Sequence, residues 1–185
     1  MKIVLAGVPY SDNLGDGVIA DNIVDFVERE SDYQIIKCDI SYREKISSFT
    51  CKDRKLSFFL ALPKLVRQII VFMFFSFKYF LKGRNYLKSK LENADALYIG
   101  GGQLISDVDL NFPLKLYFLI RTAEKFNIPT KIVSVGVAKK WNKLSLLLMR
   151  RVLHSHVVVA VSVRDELSNE NLVSYFGISN ASVLP

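Results

Sequence analysis

Short apolar runs alternate along this chain with helix-length segments, and that alternation leaves few folds open to it. Lys2–Val8, Tyr33–Cys38, Ala94–Gly100, Lys131–Val137 and His156–Val163 read as strands. Their nearly continuous hydrophobic character is that of strands covered on both faces. Helices are expected from Asp16 or Gly17 to about Glu30, and over Pro113–Phe126, Asn142–His154 and Asp165–Phe176, the last closed by Gly177. Ser182–Leu184 begins one more strand. Leu56–Leu91 is mostly helical in period, with breaks expected at Pro63 and Gly83. Strands separated by helices require right-handed crossovers and therefore a parallel sheet. The expected fold is α/β: a Rossmann-like parallel sheet with helices on both faces. One domain over 1–185 would carry a basic hydrophobic helical insertion at about 56–91.

With 185 residues, half of them hydrophobic, the chain can bury one core and is too short for two generous ones. Cys38 and Cys51 make no disulfide framework, and with only His154 and His156 beside them no metal-ligand spacing arises, so no metal is expected. Both cysteines read as cytosolic thiols. The apolar run Ile3–Val8 is too short for a signal-peptide core. The net charge of +7 is uneven: between residues 52 and 90 ten Lys and Arg face Asp53 alone, a balance of +9 that leaves −2 elsewhere. Those bases bracket a greasy stretch and form no exposed polar face, which argues against nucleic acid as partner.

The candidate site lies where strands end in glycine. Gly100-Gly101-Gly102-Gln103 directly follows Ala96–Ile99. It leaves bare backbone at the carboxyl end of a strand, where open α/β sheets bind ligands. The first strand runs into Asn13-Leu14-Gly15-Asp16, which is neither a dinucleotide fingerprint nor a Walker A loop. Asp16 reads either as a helix cap or as a functional carboxylate, and Asp12 and Asn13 add polar groups beside it. Ser134-Val135-Gly136 repeats the glycine-ended pattern. Arg164 precedes a helix start capped by Asp165, an electrostatic conflict that a bound anion would remove, or that an arginine pointing away into solvent would avoid. Asp107 and Asp109 follow the glycine loop and read as hydroxyl ligands or as solvated loop residues.

In this order, Asn13-x-Gly15-Asp16, Gly100-Gly101-Gly102-Gln103, Ser134-Val135-Gly136 and Ser162-Val163-Arg164-Asp165 resemble the polysaccharide pyruvyl transferase family. The resemblance implies transfer of a pyruvyl group from phosphoenolpyruvate to sugar hydroxyls of a cell-surface polysaccharide precursor, with no cofactor beyond that donor substrate. It implies a fold like one half of a GT-B glycosyltransferase. The resemblance covers the amino-terminal domain; the family's second domain, which supplies much of the phosphoenolpyruvate site, has no counterpart in these residues. Carried over as cleft-lining, substrate-binding positions are Asn13, Gly15, Gly100, Gly101, Gly102, Gln103, Asp107, Ser134, Gly136 and Arg164. Asp16 is the candidate catalytic carboxylate, placed to take a proton from an attacking sugar hydroxyl.

Gln68–Phe77 is uncharged, and at ten residues it has about half the length a membrane span needs. Lys64, Arg67, Lys78 and Lys82 fall along one stripe of the same helix. It reads as an interfacial helix with its bases toward anionic headgroups, or alternatively as a packing helix. Expected partners are a glycan or lipid-linked glycan acceptor, an anionic membrane surface through 64–82, and a separately encoded second domain or a homo-oligomer. The expected location is the cytoplasm, peripheral on the inner face of the cytoplasmic membrane. Two other functions fit the same residues: a non-catalytic acceptor-binding or membrane-tethering half, and the amino-terminal domain of a glycosyltransferase using a nucleotide sugar.

Overall fold

The computed structural model describes residues 1–11, 13–30, 33–45 and 59–184; within the first helix, the side chains at 14, 16, 19, 23, 26–28 and 30 lie outside that description. Asp12, Cys51 and residues 46–58, where the long helical segment was expected to open, also lie outside it. The elements are β1 (Lys2–Gly7), α1 (Leu14–Glu30), β2 (Gln34–Asp39), α2 (Lys64–Lys78), a π-helical turn (Tyr79–Gly83), α3 (Arg84–Leu91), β3 (Ala96–Gly100), α4 (Asn111–Phe126), β4 (Thr130–Val135), α5 (Lys143–Leu153), β5 (Val158–Val163), α6 (Glu166–Phe176) and β6 (Ser182–Val183).

All six strands form one sheet in the order β2-β1-β3-β4-β5-β6, and every pairing is parallel. The Rossmann-like α/β fold read from the sequence is the fold observed. The crossover from β1 to β2 runs one way along the sheet and every later crossover runs the other way. Right-handed connections therefore put α1 on one face and the remaining helices on the other. Accordingly, α2 and α3 contact α4, α4 contacts α5, and α5 contacts α6. The main core lies under that helical layer. Val4, Ala6, Leu97, Ile99 and Ile132 of the sheet meet Leu116, Leu119 and Ile120 of α4 and Met149 and Val152 of α5.

Helix boundaries follow local chemistry. The side chain of Asn142 caps α5 by accepting from the Ser145 N–H at 2.9 Å, and Asp165 caps α6 by accepting from the Ser168 N–H at 2.7 Å. Left-handed residues close α4 at Asn127 (φ 51°) and α6 at Gly177 (φ 71°). Two starts differ from expectation. Helix α1 opens at Leu14, because Asn13 rather than Asp16 holds the cap position, and α4 opens at Asn111, so Pro113 lies inside its first turn.

The long segment differs more. Pro63 does precede a helix start, but Gly83 breaks nothing: α2, the π turn and α3 run on without interruption from Lys64 to Leu91. The π turn inserts an extra residue into the helical register. Tyr79 thereby stays on the inner face, stacked on Phe118 with ring centroids 4.0 Å apart, while Tyr86, Leu87 and Leu91 are buried one and two turns on. Gly83 is required for contact, not for flexibility. A Cβ there would lie 2.6 Å from Cε2 of the buried Tyr42 ring. Between α2 and α4, Lys115 is buried with its Nζ 4.8 Å from the Phe75 ring centroid and 5.4 Å from that of Phe112. Burial pulls its ammonium pKa down to about 8.

Two outcomes follow from this packing. Gly83→Ala should cost about 1–3 kcal/mol in denaturant unfolding, since a methyl group must displace an aromatic ring in a filled interior. Lys115→Met should stabilise the protein by about 1–3 kcal/mol at pH 7, where the wild-type chain holds a desolvated charge. Folding lowers the Lys115 pKa from its ordinary 10.5. The charge penalty is therefore complete below about pH 8 and vanishes as pH rises toward 10.5. The advantage of Lys115→Met should shrink across that window, measured as the difference between paired unfolding curves.

Candidate functional site at the carboxyl edge of the sheet

Parallel strands all end on one edge, and here the chain reverses its direction of travel between β1 and β3. In open α/β sheets such a switch point, at the carboxyl ends of the two strands, is where a crevice for ligands is placed. Glycines let the strand ends close on one another: a Cβ on Gly7 would lie 2.8 Å from the carbonyl oxygen of Gly100. Beyond β1, Ser11 and Asn13 form a tight polar turn. The Asn13 N–H donates to Ser11 Oγ at 3.2 Å, and Asn13 Oδ1 accepts from the Gly15 N–H at 3.2 Å. Asn13 and Gly15 are exposed at the amino end of α1. Asp16 stands in the first turn of that helix, with its side chain among those outside the description.

Past β3 the chain turns through Gly101 (φ 90°) and Gly102 (φ 64°), values at which an L side chain is strained. This loop is fastened to the continuation of β4. The Gly136 N–H donates to the Gly102 carbonyl at 3.0 Å, and Ile105 and Ala138 extend the contact by hydrogen bonds to Gly136 and from Ala138 to Ile105 at 3.3 and 2.9 Å. Gln103 is exposed on the loop, its carbonyl accepting from Ser106 Oγ at 3.0 Å. Ser134 has a left-handed backbone (φ 51°). Its N–H donates to Ser162 Oγ at 3.1 Å, and its hydroxyl donates to the Leu184 carbonyl, so Ser134 ties β4 to the outer strands.

Arg164 lies across Gly136, where an added Cβ would be 2.9 Å from the guanidinium carbon. Its Nε donates to Asp165 Oδ2 at 2.8 Å. The electrostatic conflict expected of an arginine at a helix start is thus partly met by the capping carboxylate. Asp165 in turn is held below the usual carboxylate range, first by hydrogen bonds from Ser168 and then by Arg164. The side chain of Arg164 is half exposed. Gly102, Gly136 and Arg164 therefore form one contiguous wall of backbone and guanidinium, with Gly100 at its inner end.

Asp107 stands apart from that wall. Its buried carboxylate accepts from Asn142 N–H (2.9 Å), Asn142 Nδ2 (2.6 Å), Ser145 Oγ (2.6 Å) and Leu110 N–H (3.3 Å). It anchors the amino end of α5, and a ligand hydroxyl would have to displace one of those donors. Asp109 forms an ion pair with Arg67, 2.9 Å from Oδ2 to Nε. Sequence reasoning missed Asp39, one residue beyond the expected end of β2. Fully buried, it accepts from Ser41 N–H at 2.6 Å, from Arg43 Nε at 3.1 Å and from Tyr10 N–H at 3.4 Å. It thereby braces the loop after β1. The signal was an acid at the carboxyl end of a strand, the same rule that singled out the glycine loops. His154 lies at the opposite edge, where its Nε2 is 2.9 Å from the Phe176 carbonyl beside a shallow cavity of about 340 Å³.

The model of the polysaccharide pyruvyl transferase family matches residues 13–185, nearly the whole chain. The chain belongs to the polysaccharide pyruvyl transferase family. No curated protein and no solved structure matches it. In this pyruvyl transferase family member, all four motif segments that carry the resemblance end on the carboxyl edge of one sheet.

Asp107→Ala should lower stability by about 2–3 kcal/mol, because buried donors of Asn142 and Ser145 lose their acceptor. Thermal unfolding measures this directly. A ligand-binding defect without loss of stability would show instead that the carboxylate serves the crevice.

Proposed function

We propose that this chain transfers a pyruvyl group from phosphoenolpyruvate to two hydroxyls of one sugar in a polysaccharide precursor. The family membership is the observation that carries this reading, and the Gly102–Gly136–Arg164 wall supports it. Phosphoenolpyruvate brings a carboxylate and a phosphate, and a half-exposed guanidinium beside bare backbone suits such an anion. One sugar hydroxyl adds to the enol carbon as the methylene gains a proton and becomes a methyl group. A second hydroxyl of the same sugar then attacks that carbon, phosphate leaves with its bridging oxygen and takes up the second hydroxyl proton, and a cyclic ketal remains.

Asp16, in the first turn of the helix that follows β1, is the proposed base for the attacking hydroxyl. Asn13 and Gly15 border the same turn and are proposed to contact the acceptor, while Arg164 offsets phosphate charge. Asp107 is proposed to act on substrate only indirectly, by fixing the loop behind the glycines.

The test is phosphate release from phosphoenolpyruvate by the purified chain given lipid-linked or soluble glycan acceptors, with ketal formation followed by mass. Arg164→Ala should reduce kcat/KM at least about tenfold, the scale of one charged hydrogen bond. Gly136→Ala should do the same with little change in melting temperature, since the added methyl group displaces only the half-exposed end of the Arg164 side chain. No phosphate release, combined with saturable binding of a nucleotide sugar, would overturn the proposal in favour of glycosyl transfer.

A further inference from the structure

Helix α2 is amphipathic in the reverse of the usual sense. Its bases, expected from the sequence to point outward along a stripe, are turned to the protein. Arg67 pairs with Asp109, Nε to Oδ2 2.9 Å, and donates to the Leu60 carbonyl at 2.9 Å. Lys78 donates to the Ser41 carbonyl at 2.7 Å. Lys64 and Lys82 reach Asp107 and Glu44 at 3.9 and 3.8 Å while staying more than half exposed. The opposite arc, continued into the π turn by Phe80 and Leu81, is apolar and faces outward: Leu65 is 69 %, Met73 66 %, Phe77 65 %, Phe80 70 % and Leu81 66 % exposed, with Ile69 and Phe72 about half exposed among them. No residue of α2 is buried.

Single exposed apolar side chains are ordinary, but a continuous row of this length marks a surface that something covers. We propose that this arc lies flat in the interface of an anionic membrane, with the domain standing above it. Two features favour lipid over a second copy of the chain. Between Lys64 and Leu91 there are seven Lys and Arg and no acid, so face-to-face copies would bring like charges together, whereas anionic headgroups complement them. Apart from the hydroxyl of half-buried Ser76, the arc also carries no hydrogen-bonding side chain with which to specify a protein partner. Lys64 and Lys82 point toward Asp107 and Glu44 but stay more than half exposed, so their long stems can snorkel to the headgroups while the apolar row enters the acyl boundary. The helix lies on the bilayer and does not cross it, since no helix among the described residues is long and apolar enough to span one.

The experiment is flotation of the full chain with vesicles of phosphatidylcholine alone and with phosphatidylglycerol added. Partitioning should favour the anionic vesicles at least about tenfold, since each basic residue near the surface adds severalfold, and added salt should weaken it. The triple variant Leu65→Ser, Met73→Ser, Phe77→Ser removes only outward side chains. It should lose most vesicle binding while keeping its circular dichroism. Equal partitioning of the wild-type chain to neutral vesicles would overturn the proposal. So would a vesicle-free dimer in sedimentation velocity that the same variant dissolves, because a second copy would then be what covers the face. Neither readout depends on pyruvyl transfer.

Discussion

The crevice rests on a backbone contact made possible by missing side chains. Gly7 and Gly100 bring the ends of β1 and β3 within a distance that no Cβ tolerates. The next two glycines then turn the chain so that the Gly102 carbonyl can accept from Gly136. With that hydrogen bond in place, Ile105 pairs beyond β4 with Val137, and Asp107 arrives at the amino end of α5. Replace the bare backbone with side chains and the loop would stand off from β4, taking both the guanidinium seat over Gly136 and the Asp107 anchor with it. One local requirement, glycine at successive strand ends, thus sets both the opening and its bracing.

A second constraint is electrostatic and explains the orientation of α2. The domain offers three acids and a backbone carbonyl along the path of that helix and the turn after it: Asp107, Asp109, Glu44 and the Ser41 carbonyl. Bases on α2 gain partners by facing them. Seen alone, the sequence presents a basic stripe and an apolar arc, and either could face out. The acids that decide the matter are distant in sequence, and their position depends on the fold. Buried Lys115, its charge seated against Phe75 and Phe112, shows how far this layer tolerates positive charge next to aromatic surface.

This division marks what sequence reasoning could reach. The strands, their parallel pairing and the glycine loops were legible because period, length and glycine placement are local signals. Gly83 was misread for the same reason. Glycine in a helix reads locally as a break, but here its function is contact with Tyr42, which lies some forty residues earlier in the chain. Asp107 was equally opaque: a loop aspartate after a glycine turn looks like a ligand group, and only the fold supplies the four donors that occupy it. Asp39 could have been found by applying the strand-end rule to acids as well as glycines.

The crevice and the apolar helix are joined by the segment that follows the glycine loop. Asp107 reaches Lys64 and Asp109 holds Arg67, so the first turn of α2 is tethered a few residues beyond Gly102. A helix entering from the carboxyl edge of the sheet begins beside the crevice and runs away from it. If α2 lies on a bilayer, its amino end sets the height of the crevice above the headgroups. An acceptor carried on a lipid would then meet the strand ends by diffusing in two dimensions, with its sugar raised to the level of the glycine loop. A soluble acceptor gains nothing from that placement. The relative rates with lipid-linked and lipid-free glycans on vesicles therefore bear on the geometry of the whole domain, beyond the chemistry of its crevice.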